Sequence, residues 1–281
     1  VLVRSGNPKI VTLTARGLWP DTTIACSPAP TLSFENATTE EQLFIFERLA
    51  YTDQATTAAE VTTLQTFRDL FADDVLRPGE EVSVGSLAVA FTDLRDSTSM
   101  YQQVGDATAF GQVMSHFDVL RDAIGADDGA IVKTIGDSVM AIFREPAAAV
   151  RALLHAQAVL ANPVPPRQPL ALKIGLHYGP SIAVTLNERL DYFGSTVNIA
   201  ARLESLSTAQ DLIVTEAVYR EPSVQALLND PRAGYQAEAL TARLKGFGAQ
   251  DFQLWRITQR SGSSFRRTPP ESAGQQASFR L

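Results

Sequence analysis

Hydrophobic and polar positions change rhythm several times along the chain. In the first 48 residues, short β-rich runs (Lys9-Ile10-Val11-Thr12-Leu13 and Glu41-Gln42-Leu43-Phe44-Ile45-Phe46) are separated by Gly, Pro, Asn and Asp punctuation, which predicts part of a small β-sandwich within residues 1–53. Val61, Leu64, Phe67, Phe71 and Val75 then recur at helical spacing and predict one amphipathic linker helix that stops before Arg77-Pro78-Gly79, inside a linker of residues 54–85. Strands and helices alternate afterwards. Leu87-Ala88-Val89-Ala90-Phe91 is a short apolar run suited to a strand buried on both faces. Phe110, Val113, Met114, Phe117, Leu120 and Ile124 make one continuous stripe on a helix. Residues 130–135 and 139–143 predict a hairpin joined across Gly136-Asp137, followed by a helix at 147–161, a proline-rich turn at 162–169 and a strand at 170–176. The resulting order, βαββαβ, is a ferredoxin-like core. A helix at 196–206, a strand at 212–215, a helix at 218–228 and strands on either side of Lys245-Gly246 complete a domain of residues 86–258. The expected fold class is therefore α/β (α+β), with C-terminal additions to the core and a β-rich segment and linker helix before it. The Ser-, Gly-, Pro-, Gln- and Arg-rich tail, residues 259–281, predicts disorder.

Composition narrows the functional classes. With 45% hydrophobic and 20% charged residues, the 281-residue chain has a globular balance, and no apolar run approaches the roughly 18 residues that span a bilayer. A net charge of -7, from 31 acidic and 24 basic residues, argues against nucleic acid as a partner. Cys26 is the only cysteine, which excludes an intramolecular disulfide and a thiolate-rich zinc site. The lone cysteine fits a reducing, cytoplasmic setting, and with no charged-then-apolar leader after Val1 the sequence reads as one lacking its natural start rather than as a secreted protein; no membrane contact by these residues is expected. Asn36-Ala37-Thr38 reads as a turn, and His116, His155 and His177 lack the spacing of a shared metal site and read as structural.

Two acids fall at matching ends of the predicted core: Asp93 just past the first buried strand, and Asp137 at the hairpin tip. In a ferredoxin-like sheet the first and third strands are central and antiparallel, so these two positions meet at one edge. Paired carboxylates repel unless a cation lies between them, and such oxygen donors suit Mg²⁺ or Mn²⁺. Taken singly, each Asp also fits an ordinary turn or cap.

The phrases around them are Phe91-Thr92-Asp93-Leu94-Arg95-Asp96-Ser97-Thr98 and Val132-Lys133-Thr134-Ile135-Gly136-Asp137. Together with Leu190-Asp191-Tyr192-Phe193-Gly194-Ser195-Thr196-Val197-Asn198-Ile199-Ala200-Ala201-Arg202, they resemble the class III adenylyl and guanylyl cyclases. The resemblance implies that Asp93 and Asp137 hold two metal ions per site, Mg²⁺ or Mn²⁺, one activating the ribose 3'-hydroxyl and the other neutralising the triphosphate. It implies Arg202 as the donor beside the transferring phosphorus and Asn198, four residues earlier on the same helical face, as the ribose-orienting residue. Lys245, in Leu244-Lys245-Gly246-Phe247-Gly248, matches the triphosphate lysine. Ser97 and Thr98 open the helix whose N–H groups would receive phosphate oxygens. A plainer reading makes these residues a solvent-facing polar stripe and a surface lysine.

Lys133 and Asp191 match the two purine-reading positions, as a donor and an acceptor. Adenine offers an amino donor and a ring-nitrogen acceptor, so the pair favours ATP. Guanylyl relatives usually carry Glu at the Lys133 position, which makes GTP the lesser alternative. The resemblance further implies a homodimer in which each site takes Asp93 and Asp137 from one chain and Lys133, Asp191, Asn198, Arg202 and Lys245 from the other. One residue departs from the pattern: Asp96 stands where the family commonly has Gly. It either caps the following helix or competes with the triphosphate, which keeps a nucleotide-sensing module of little activity as a second reading. A third reading gives the β-rich N-terminal segment the leading role, as the receiver of a regulator that the sequence does not identify.

Overall fold

The computed structural model describes residues 2–5, 10–15, 23–26, 31–39, 56–71, 76, 80–165, 167–186 and 189–259. The predicted strand at 41–46 and the tail beyond residue 259 lie outside them. The chain divides into two compact units, Val1–Ala55 and Thr56–Leu281.

The described part of the first unit holds four strands: β1 (Leu2–Ser5), β2 (Ile10–Ala15), β3 (Thr23–Cys26) and β4 (Thr31–Asn36). β1 pairs with β3 and β2 with β4, both in parallel. After β4 the chain turns as expected, with the Asn36 side-chain oxygen accepting from the Thr38 N–H at 2.9 Å.

The second unit begins with two short helices, α1 (Ala58–Thr62) and α2 (Gln65–Phe71), where one linker helix was expected. The cause is local. Thr57 and Glu60 form a reciprocal capping box that starts α1. The hydroxyls of Thr62 and Thr63 then bond back to the carbonyls of Ala58 and Ala59, both at 2.7 Å, which favours a break. Leu64 and Phe71 are consequently exposed, whereas Phe67 packs against the sheet.

Next come β5 (Glu81–Leu94), α3 (Ser97–Val104), α4 (Asp106–Gly125), β6 (Ala130–Ile135), β7 (Ser138–Phe143), α5 (Pro146–Ala161), β8 (Leu172–Leu186) and β9 (Arg189–Phe193). α6 (Ser195–Leu203) and a 3-10 turn (Glu204–Leu206) lead to β10 (Leu212–Thr215), α7 (Glu216–Tyr219), α8 (Pro222–Asn229), β11 (Tyr235–Arg243) and β12 (Asp251–Gln259). The eight-stranded sheet runs β11-β12-β10-β8-β5-β7-β6, with β9 pairing to β8. Its β8-β5-β7-β6 portion is the ferredoxin-like order, and β5 and β7 are antiparallel neighbours as the sequence predicts.

Both faces of this sheet are covered, which explains its near-continuous apolar runs. Ala88 and Ala90 of β5, with Val139, Ala141 and Phe143 of β7, meet the buried faces of α4 and α5. The alternate residues Leu87, Val89, Phe91, Met140 and Ile142 form a second core with Ala200 of α6 and the α1–α2 segment. β8 runs ten residues past Leu176, where the predicted strand ended. Pro180 is accommodated opposite Ser86, where β5 bulges beside Gly85 at φ 70°. His177, just past the predicted strand, therefore lies inside β8, with Nδ1 2.7 Å from the Thr215 hydroxyl. Gly175, also in β8, allows the end of α6 to touch the sheet, because a Cβ there would stand 2.4 Å from the Glu204 nitrogen.

Candidate active site

The strand order brings the two predicted metal aspartates to one end of the sheet. Asp93 is the penultimate residue of β5, and Asp137 occupies the β6–β7 turn. Ser138 donates its hydroxyl to Asp93 Oδ1 at 2.7 Å, joining the end of one strand to the start of the other. Asp137 Oδ2 is buried without a hydrogen-bond partner. Such an orphaned carboxylate oxygen is costly unless something positive satisfies it. Among the described residues no group of three or more His, Cys, Asp or Glu side chains is arranged to hold a metal ion. Two carboxylates with hard oxygen donors nevertheless fit Mg²⁺ or Mn²⁺, which keep several waters and take one or two protein carboxylates beside substrate phosphates.

Three more groups lie around this end: Lys173 and Glu204, which were not singled out from sequence, and His116, which was read as structural. Lys173 of β8 lies opposite Asp93 in the ladder and brings a cation to the acidic end. Glu204, held against the sheet over Gly175, has its carboxyl pushed up by burial and then by the negative fields of Asp93 and Asp137, with Lys173 opposing. His116, in the middle of α4, is fully buried; burial holds its pKa down while Asp137 and Asp93 pull it the other way. Its Nδ1 lies 3.0 Å from the Val113 carbonyl, and its Nε2 has no partner. Lys173 stands between Leu172 and Ile174, out of phase with the apolar residues of its strand, and nothing in that pattern marks its place at the acidic end.

The predicted purine-reading pair is in direct contact. Lys133 of β6 donates from Nζ to Asp191 Oδ2, although the two are 58 residues apart in sequence. The Asp191 side chain is only 10% exposed and that of Lys133 38%. Asp191 Oδ1 accepts from the Tyr192 N–H at 2.8 Å, which fixes the carboxylate plane. The strand β9 that presents Asp191 was not predicted, because Arg189 and Asp191 interrupt its apolar pattern.

A third group lies around α6. Asn198 and Arg202 share one face of the helix, both exposed, and Arg202 Nε donates to the Lys245 carbonyl at 3.3 Å. Lys245 is exposed in the turn between β11 and β12. Ser97 and Thr98 open α3, whose first-turn N–H groups have no partner within the helix. Asp96 does not cap it: its side chain makes no capping bond, pairs with Arg95 Nε at 3.4 Å, and sits on a left-handed backbone at φ 58°. This is the conformation that glycine adopts freely.

A ferredoxin-like sheet with two acids at one end and a Lys133–Asp191 ion pair between β6 and β9 has the architecture of a nucleotide cyclase catalytic domain. Residues 80–242, more than half of the chain, match the adenylate and guanylate cyclase catalytic domain, and the chain belongs to that family. An adenylate cyclase from Glutamicibacter nicotianae is 31% identical over 179 residues, covering 63% of this chain and 40% of the relative. An uncharacterized protein of Mycobacterium tuberculosis is 34% identical over 174 residues, covering 61% of this chain and 41% of the relative. The chain thus spans less than half the length of these relatives. The crystal structure of the adenylyl cyclase CyaB from P. aeruginosa shares the fold at a TM-score of 0.54 and 20% identity, over 66% of this chain and 100% of that one. Among the described residues no helix is long and apolar enough to cross a membrane.

Proposed function

We propose that this chain is an adenylate cyclase, converting ATP to 3',5'-cyclic AMP and pyrophosphate at two sites shared within a homodimer. The observation that carries the reading is the contact between Lys133 and Asp191. Without a base the two groups satisfy each other. With adenine present, the exocyclic amino group donates to Asp191 and the ring nitrogen accepts from Lys133. Guanine in the same pose would set an acceptor against the carboxylate and a donor against the ammonium, and mispairing of this kind in a buried site discriminates by up to about 10⁴-fold.

Asp93 and Asp137 would hold two divalent cations, Mg²⁺ or Mn²⁺, whose chemistry is Lewis-acid activation of the 3'-hydroxyl and neutralisation of the triphosphate. Ser138 orients Asp93 for that task. Asn198 positions the ribose, and Arg202 stabilises the charge that develops at the transferring phosphorus. Lys245 and the N–H groups of Ser97 and Thr98 receive the outer phosphates. The 3'-oxygen bonds to the α-phosphorus, the bond to the β-phosphate oxygen breaks, pyrophosphate leaves, and the hydroxyl proton passes to water. Ile135 and Phe193, 55% and 58% exposed, flank the base-reading residues and suit a face that a second copy covers. The reading carries a cytoplasmic setting, where ATP is available.

Purified chain offered ATP or GTP with Mg²⁺ or Mn²⁺, beside Asp137→Ala, tests this directly. Cyclic AMP from ATP, abolished in the variant, is the expected result; cyclic GMP as the main product overturns the base assignment. The exposed carboxylate of Asp96 favours one second reading, a nucleotide-binding module of little activity. Tight ATP binding without pyrophosphate release under Mn²⁺ would establish it.

A further inference from the structure

The two strands that carry Lys133 and Asp191 are gripped from outside the sheet by the same short helix. Gln65, the first residue of α2, accepts a hydrogen bond at Oε1 from the Ile131 N–H at 2.7 Å. Ile131 stands where the register of β6 slips against β7, between Ile131 and Lys133, on the outermost strand of the sheet. A main-chain donor at such an irregularity needs a partner from elsewhere, and Gln65 supplies it two residues from Lys133. Gln65 is itself oriented, because its amide nitrogen donates to Asp69 Oδ1 at 2.7 Å.

One turn further along α2, Arg68 does the same for the other strand. Its Nη2 donates to the Leu190 carbonyl at 2.6 Å and its Nη1 to the Thr62 carbonyl at 3.4 Å. The guanidinium carbon lies 5.5 Å from the ring centre of Tyr192, and the Tyr192 hydroxyl donates to the Thr62 carbonyl at 3.1 Å. Leu190 and Tyr192 are the residues on either side of Asp191. Among the described residues β9 pairs only with β8, and its far side is held by these contacts. Arg68 is 5% exposed, and burying a guanidinium is expensive unless it is well bonded. A helix that merely covered the sheet would be served by an apolar residue there. What arginine adds is a directed bond to the carbonyl next to Asp191.

We propose that Gln65 and Arg68 are positioning residues for purine selection. α2 fixes β6 and β9 relative to each other, so that Lys133 and Asp191 address a single base at the spacing adenine requires. The inference rests on the assignment of Lys133 and Asp191 as base readers, and it makes the segment just before the sheet a determinant of nucleotide choice.

The test uses the full chain with Gln65→Leu, Gln65→Glu, Arg68→Met and Asp191→Ala. Each is measured for KM and kcat with ATP and GTP, and for Kd with non-hydrolysable ATP and GTP analogues, so that selectivity is read with or without turnover. Gln65→Leu and Arg68→Met should each lower the ATP-over-GTP preference by about tenfold or more, mainly through weaker ATP binding, while kcat with ATP stays within about threefold. Gln65→Glu retains the acceptor for the Ile131 N–H and should keep the preference. A preference that collapses in Asp191→Ala but survives in Gln65→Leu and Arg68→Met overturns the clamp alone, as does a fall in kcat at unchanged preference. A preference untouched by Asp191→Ala overturns the base assignment and the clamp together. Should Arg68→Met fail to fold, Gln65→Leu, on a partly exposed side chain, decides the matter.

Discussion

Replacing Asp96 separates a backbone effect from a charge effect at the mouth of the proposed phosphate site. The residue sits at φ 58° and ψ 27°, with its side chain 76% exposed and making no cap. Asn keeps the side-chain shape and tolerates the left-handed region, so Asp96→Asn removes charge alone; Asp96→Gly also removes the Cβ. A left-handed non-glycine residue costs about 1–2 kcal/mol, less for Asp, and glycine loses about 0.5–1 kcal/mol through the unfolded chain. The two nearly cancel, and Asp96→Gly should shift the melting temperature by no more than about 3 °C. For a phosphate oxygen roughly 7 Å away, at an effective dielectric between about 40 and 80, one unit of repulsion amounts to about 0.6–1.2 kcal/mol. Arg95, paired to Asp96, offsets part of that. The lower end applies, and both variants should lower the KM for ATP about threefold with little change in kcat. Steady-state kinetics at about 20 mM and 300 mM salt supply the check, because the gain should shrink as screening shortens the Debye length. An unchanged KM in Asp96→Asn at low salt would refute the electrostatic reasoning, and a gain in Asp96→Gly alone would assign the effect to the backbone.

Two further outcomes follow from the packing. Burial holds the His177 pKa at about 4, well below its ordinary 6.5, so its contribution to stability is fully present above pH 6.5 and is lost as pH falls through about 4. The loss is on the order of 3 kcal/mol, and His116, also held down by burial, acts in the same direction. Urea melts should show stability dropping between pH 7 and pH 4, with a smaller drop in His177→Asn; parallel pH profiles would contradict this. Gly175→Ala would place a Cβ 2.4 Å from the Glu204 nitrogen, forcing the end of α6 off the sheet. A loss of about 2 kcal/mol or more, with activity falling further than stability as Arg202 is displaced, is the expected outcome. Wild-type stability and turnover would mean that this close approach does not position the helix.

The core of the fold was legible because its central strands are buried on both faces. Leu87 to Phe91 and Val139 to Phe143 read as unbroken apolar runs, and their alternate side chains enter the two separate cores. The paired aspartates followed from topology: antiparallel neighbours place the end of one strand beside the start of the other, and Ser138 makes the link between them. What escaped has physical causes. The stripe from Val61 to Phe71 has helical spacing, yet two threonine hydroxyls turn back onto main-chain carbonyls and break the helix. β9 is five residues long with two charges in it, and its identity depends on Arg68 and β8, partners far away in sequence. Lys173 and Glu204 join the acidic end only through sheet register and the Gly175 contact, neither of which leaves a mark on the local pattern.

Mixing two inactive variants tests the central claim most directly. Asp93→Ala should lose the metal-holding half of every site, and Arg202→Ala the phosphoryl-stabilising half. In an equal mixture of freely exchanging homodimers, half of the dimers are mixed and each carries one intact site of two, so cyclic AMP production from ATP should return to about a quarter of the wild-type rate. No recovery in a mixture shown to contain mixed dimers, or substantial activity in either variant by itself, would contradict shared sites built from these residues.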